Sequence, residues 1–326
     1  VRPRLDEAGG EVERLVIYYL SPTPVDLTRN LSGGTRKLWD HVAILNAHGR
    51  PARVIQNIDV NNGVLADASL VVIPEVYGWA MDNPVFGATP RVCFVQNAYL
   101  VSRWGIDDPA YHPFDFCEHL IAILTESAHS TDKILREYTP PVPVIRTHSS
   151  GNGRLGATGP FSFGPWPRQR WVMHFSYKVG HLNGLVYPGL DLPPGWKVVN
   201  LSGRTDEGIA AAMRTGAMFC APNQEEGMCA PTSEAMISGC FICAWTGGGT
   251  EEYLPGRAAV AKQDDVDNLR RAIVDNAWGI EKAPGLYARS CEEASQWFQR
   301  TYSRKAEIEE ICTIMDDLVA KATALR

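Results

Sequence analysis

Residues 226–252 constrain the fold of this chain more than any other stretch. Glu226-Gly227 opens a loop, Pro231 stands where a helix would begin, and Gly239 stands where it would end. Proline suits the first helical position because it has no N–H to leave unsatisfied, and glycine suits a left-handed C-terminal cap. An uncharged run, 241–245 (Phe-Ile-Cys-Ala-Trp), comes next, followed by Gly247-Gly248-Gly249. That run predicts a strand buried on both faces. Loop, helix, buried strand and glycine loop in this order belong to an open α/β sheet, whose ligands bind beyond the carboxyl ends of the strands. The helix start predicts exposed main-chain amides over 230–233, a ready site for phosphate. Glu234, expected in the first turn, should stay ionised and accept hydrogen bonds from two neighbouring hydroxyls. The stretch therefore predicts a pocket for an anionic, hydroxyl-rich ligand such as a nucleotide-sugar.

The rest of the chain repeats the alternation. Strands are predicted over 15–20, 52–55, 69–73, 91–95, 119–124 and 142–145, with helices over 35–48 and 130–138. A second series of strands is predicted over 171–175, 196–201, 217–221 and 241–245. Between the two series, 146–170 is rich in Gly, Pro and Ser without periodicity and reads as a linker. Residues 304–326 predict an amphipathic helix with Ile308, Ile311, Ile314, Met315 and Leu318 on its apolar face. At 326 residues, two cores are expected rather than one.

At fixed spacing, Glu226, Gly227, Pro231, Glu234, Ala235, Met236 and Gly239, with Gly248, Gly249 and Glu252, resemble the donor-site signature of the retaining GT-B glycosyltransferases of family GT4. That signature runs E-G-F-G-x-P-x-x-E-A-M-x-x-G-x-P-V and then G-G-x-x-E. Met228 and Cys229 stand where Phe and Gly are usual, and Phe241 replaces a common proline. The resemblance implies an α/β GT-B fold: two Rossmann-like doubly wound domains facing each other across a cleft. Residues 1–150 would bind the acceptor, 151–303 the nucleotide-sugar, and the C-terminal helix 304–326 would return to the first domain. It also implies sugar transfer from a nucleotide-diphosphate donor to an acceptor hydroxyl, with retained configuration and no metal.

Carried over residue by residue, the resemblance places Glu226 beside the reacting sugar. Glu225 lacks the seven-residue interval to Glu234 and serves as its control. Gly227, Met228, Cys229, Ala230, Pro231, Thr232 and Glu234 would line the donor pocket, and Glu252 would take a donor-sugar hydroxyl, with Thr250 in the same loop. Gly33-Gly34 would form the first strand–helix turn, beside the donor phosphates. Gln96 and Asn97 stand near a position where relatives carry histidine; amides orient a hydroxyl but shuttle no proton at neutral pH. Lys178 stands for the arginine of a Gly-Arg pair, and Asn183, five residues on, stands where a second phosphate-pairing lysine is usual. Arg204 is a candidate to compensate for that cation or to contact the base, against the reading of an ordinary exposed arginine. Asp265-Val266-Asp267 has the form of a metal motif, but its place before a helix favours capping.

Composition narrows the alternatives. A formal net charge of −6, with neither half basic, argues against electrostatic capture of nucleic acid or of an anionic membrane. The eight cysteines lack metal-ligand spacing and several lie in apolar runs, which suits reduced thiols in the cytoplasm. No apolar run is long enough to span a membrane, and no signal peptide is visible. Two other functions suit the same architecture: a nucleotide-sugar epimerase, favoured by an acid/base pair in the N-terminal half, and a degenerate binding subunit, favoured by the missing cation and histidine.

Overall fold

Two parallel sheets organise the molecule. The computed structural model describes residues 15–21, 33–56, 68–103, 114, 117–150, 160–176, 180–222 and 225–325. The first sheet comprises β1 (Val16–Ser21), β2 (Ala52–Gln56), β3 (Ala68–Pro74), β4 (Arg91–Val95), β5 (Leu120–Thr125) and β6 (Val144–Arg146), in the order β2-β1-β3-β4-β5-β6. The second comprises β7 (Gln169–His174), β8 (Lys197–Asn200), β9 (Gly216–Ala221), β10 (Phe241–Trp245) and β11 (Ala259–Ala261), in the order β8-β7-β9-β10-β11. Every pairing is parallel. Both sheets are wound alike: the strand order reverses between β1 and β3 in one and between β7 and β9 in the other. Those reversals open the crevices where ligands of such sheets bind.

Strand alternation sorts the side chains of the first sheet into two cores. Tyr18, Val71, Ile73, Cys93 and Val95 fill one face, to which α2 (Ala128–Tyr138) contributes Ile134. Tyr19, Leu70, Val72, Val92 and Phe94 fill the other, beneath Leu38, Val42 and Leu45 of α1 (Gly33–Ala47). The same face receives Ile311, Cys312, Met315, Leu318 and Ala322 of the last helix, α8 (Arg304–Ala324). The C-terminal helix thus returns to the first domain, as the resemblance implied. Short α3 (Gly180–Val186), α4 (Asp206–Thr215), α5 (Ala230–Ile237), α6 (Val266–Lys282) and α7 (Pro284–Thr301) cover the second sheet.

Buried charge ties α8 to α1. Lys37 and Glu307, both fully buried, pair with each other; Ser150 donates to Glu307, and Lys37 also donates to Ser149 at 3.3 Å. Arg304 adds pairs to Asp40 and to Glu307, the latter at 2.7 Å. Burial alone would raise the Glu307 pKa, but the Lys37 charge and the Ser150 hydroxyl hold it well below its ordinary value.

These serines correct the expected linker. Thr147, Ser149 and Ser150 are buried in the first domain, Phe161 is fully buried in the second core, and β7 begins at Gln169. Small hydroxyl residues read as loop composition, yet here they satisfy a buried ion pair. The expected domain boundary after residue 150 meets residues 151–159, which lie outside the described set. All eight cysteines are buried free thiols. Among the described residues, no helix is long and apolar enough to cross a membrane.

Candidate functional site

The loop between β9 and α5 sits at the second sheet's crevice. Glu226 emerges half-buried from it, while Gly227, Met228 and Cys229 are buried. Cys229 is the N-terminal cap of α5 with a φ of +52°, a left-handed conformation that glycine adopts more easily. This is the position where the family pattern has glycine. The Cys229 thiol lies 3.1 Å from the Thr232 hydroxyl. Tyr253, fully buried, donates its hydroxyl to the carbonyls of Met228 (3.0 Å) and Cys229 (3.3 Å) and so holds the corner in shape. Sequence reading missed Tyr253, and its place directly after Glu252 is the signal that could have found it.

The helix start is narrower than expected. α5 begins at Ala230, which puts Pro231 second rather than first. Thr232 and Ser233 both turn their amides to the Cys229 carbonyl, at 3.1 and 3.4 Å. Pro231 has no amide, so of residues 230–233 only Ala230 keeps one clear of the helix's own bonds. Glu234 lies beyond the first turn and is 1% exposed, so a sugar hydroxyl can meet it only after some rearrangement. Gly239, with φ +82°, ends the helix as the sequence predicts.

The first domain presses directly on this loop. A Cβ on Gly227 would overlap the Gln96 carbonyl, and one on Gly249 would overlap the Gly227 carbonyl. Glycine is therefore required at both places by close approach of main chains. Gly249, in the short 3-10 turn Gly248–Glu252, also donates its amide to the Glu226 carbonyl at 3.1 Å. Gln96 donates its side-chain amide to the Gly34 carbonyl at 2.9 Å. That bond joins the end of β4 to the Gly33-Gly34 start of α1. Asn97 donates to the Glu225 carbonyl at 2.8 Å. The structure thus brings Gly34, Gln96, Asn97, Gly227 and the Glu225 carbonyl into one contact. Thr250 is buried and closes its own turn through the Gly247 carbonyl at 2.8 Å.

Glu252 departs from its expected surroundings. Its carboxylate accepts the His129 amide at 3.1 Å, at the N-terminus of α2, and the Arg146 guanidinium at 2.7 Å. A carboxylate at a helix N-terminus is favoured by the helix dipole, and here the bond crosses between the domains. Arg36 of α1 makes a further crossing to Asp206 of α4 at 2.9 Å.

The other expected residues lie apart from this contact. Asn183 donates to the Ser176 carbonyl at 3.1 Å and so ties α3 to the end of β7. Arg204 is exposed in the turn before α4. Lys178 lies outside the described residues. Asp265 caps α6 by accepting the Asn268 amide at 3.0 Å, which is the capping reading. Among the described residues, no group of three His, Cys, Asp or Glu side chains could hold a metal ion.

Two further acids lie at the strand ends of the first sheet, and neither was singled out from sequence. Glu75 directly follows β3 at the reversal of strand order and is buried. Its two oxygens accept the amides of Gln96 (3.2 Å) and Asn97 (3.0 Å). Glu126 follows β5, also buried, with Oε1 lacking a hydrogen-bond partner. Burial pushes its carboxyl up to about 7 against the pull of Lys37. A clue to Glu75 was present in the sequence: an acid at the carboxyl end of an apolar run, Leu-Val-Val-Ile-Pro-Glu.

No protein-family model matches the chain, and no curated protein sequence does. Solved structures do. Anabaena HepE, in complex with UDP and glucose, superposes with a TM-score of 0.62 at 12% identity, over 94% of this chain and 100% of that one. Sucrose-phosphate synthase from Thermosynechococcus elongatus gives 0.67 at 13% identity, over 96% and 100%. The catalytic domain of starch synthase IV from Arabidopsis thaliana, bound to ADP and acarbose, gives 0.63 at 10% identity, over 95% and 99%. Identities this low speak to architecture alone. The chain has the GT-B fold, two doubly wound domains around a cleft with the C-terminal helix returned to the first.

Proposed function

We propose that the protein is a glycosyltransferase that moves a sugar from a nucleotide-diphosphate donor to an acceptor hydroxyl, retaining configuration and using no metal. The observation that carries this reading is the contact between the Gln96–Asn97 turn and the Glu226–Gly227 loop. It brings Gly227, which matches the signature, against the carboxyl end of β4 and, through Gln96, the start of α1. The nucleotides held by HepE and starch synthase IV support a donor of the same chemical class. In this reading Cys229, Ala230 and the neighbouring loop face the diphosphate, Glu226 lies near the anomeric carbon, and the first domain holds the acceptor. The acceptor oxygen bonds to the anomeric carbon as the bond to the diphosphate breaks, and the departing phosphate oxygen takes the acceptor proton. Main-chain amides and cations stabilise the charge that develops on the diphosphate.

The test is calorimetry of the intact protein with sugars carried on uridine, guanosine, adenosine and thymidine diphosphates. Anomeric analysis of product or of slowly hydrolysed donor follows. Binding to one donor with release of sugar of unchanged configuration is expected. A folded protein that binds none of them would sink the proposal.

A second reading, a nucleotide-sugar epimerase, draws on Glu75 and Glu126, two buried carboxyls in the N-terminal half. Burial brings both near neutrality, to about 8 and about 7. Donor incubated in D2O distinguishes the two: epimerisation exchanges a ring C–H for deuterium, whereas transfer or hydrolysis does not.

A further inference from the structure

The Gln96–Asn97 turn is the part of the first domain that touches the Gly227 loop, and its own packing leaves unanswered what fixes its shape. The turn is held from below. The amides of Gln96 and Asn97 are consecutive and converge on a single carboxylate, one to each oxygen, at 3.2 and 3.0 Å. Consecutive amides converging on an anion fix two peptide planes at once, a geometry that a neutral side chain reproduces poorly. From the same turn, Gln96 reaches the Gly34 carbonyl and Asn97 the Glu225 carbonyl. A rotation of either peptide would therefore move both contacts.

We infer that Glu75 is a positioning residue, whose carboxylate holds the Gln96–Asn97 turn against Gly34 of the first domain and the Gly227 loop of the second. This rests on the proposed function only for its catalytic consequence; the positioning itself stands on the geometry. Burial disfavours the Glu75 charge and pushes its carboxyl up to about 8, despite the pull of the Gln96 and Asn97 amides and of its own main chain. The titratable group acting on it is Glu126, beyond the end of β5, which raises it further; Glu75 in turn raises the thiol of Cys93 on β4. Protonation turns one Glu75 oxygen into a donor, which weakens its hold on one amide. The turn is thus held best when Glu75 is ionised.

The experiment follows the main-chain amide resonances of Gln96 and Asn97 in the intact isotope-labelled protein, from about pH 5 to about pH 9. Both are expected to move together with a midpoint near 8. Glu75→Gln should abolish that movement, and Glu126→Gln should keep it while lowering its midpoint. In turnover at about pH 9, where Glu75 is mostly ionised, Glu75→Gln should lower kcat by about 10- to 100-fold while the donor KM changes by less than about twofold. Glu75→Asp should restore part of the loss. Amides that do not titrate in the wild type, or that titrate unchanged in Glu75→Gln, would overturn the inference, as would unaltered kcat in that variant. Should Glu75→Gln fail to fold, the wild-type titration and its shift in Glu126→Gln decide the matter. An absence of turnover in the wild type would defeat the transferase reading instead, while the amide titration still decides the role of Glu75.

Discussion

Gly227 shows how a single residue sets the relation between two domains. The Gln96 carbonyl occupies the space a side chain would need, so Gly227→Ala must push main chain against main chain across the cleft. Overpacking of this kind costs about 1–3 kcal/mol. Because the clash lies between domains, each core should remain folded. Circular dichroism should be unchanged, small-angle scattering should show a more open molecule, and turnover should fall by about tenfold or more. An unchanged scattering profile would count against the closed contact. Glu226 and Glu234 separate by role at the same scale. Glu234 is buried here and meets a donor hydroxyl only after the helix start rearranges; with that rearrangement, Glu234→Ala should weaken donor binding by up to about 1.5–3 kcal/mol, the worth of hydrogen bonds to a charged group. Glu226→Ala should chiefly lower kcat. Both are measured by donor titration and initial rates, and if neither substitution changed affinity or rate, the pocket would lie elsewhere.

Among the elements, α8 carries the strongest local commitment. It lays Ile311, Met315 and Leu318 on the first sheet and buries Glu307 against Lys37 of α1. Removing one partner from a buried pair leaves an uncompensated charge, which costs about 3–5 kcal/mol. Glu307→Gln should therefore lower the denaturation midpoint by a corresponding amount. The pH dependence has a definite sign. The Glu307 pKa is depressed by folding, so its contribution is complete above the ordinary value of 4.5 and declines as the pH falls below it. The stability difference between wild type and Glu307→Gln should thus be largest above about pH 5 and shrink on acidification. A difference independent of pH would show that the pair is not held as an ion pair.

At the scale of the molecule, Glu252 joins the domains at a point distant in sequence from its partners, His129 and Arg146. Arg146 is about half exposed, so the pair is partly screened and worth less than a buried one. Its value lies in the coupling. Arg146→Ala and Glu252→Ala should be non-additive by at least about 0.5 kcal/mol in a double-mutant cycle read by thermal unfolding. Additive effects would mean that the two side chains do not join the domains in solution. Legibility from sequence also differs by scale. Except for the short β11, the strand ends were readable to within a few residues, since runs such as 92–95 are uniformly apolar. α7 was missed because its buried side, Cys291, Ala294, Ser295 and Phe298, is built mostly from small residues that leave a faint apolar period. In the candidate site, Gly227 and Pro231 were legible as motif. Glu75 was not, because an acid near a strand end ordinarily faces solvent.

The sequence by itself determined the alternation of strand and helix, the two cores and the loop–helix–strand stretch around Glu226. These follow from local rules: apolar runs make buried strands, and proline and glycine mark where helices start and stop. Only the tertiary structure decided which main chains meet at Gly227 and Gly249, that Glu252 bonds to the first domain, and that Ser149 and Ser150 serve a buried ion pair rather than a linker. Those outcomes depend on groups scores of residues apart along the chain and brought within hydrogen-bond reach by packing, so no local period or spacing encodes them.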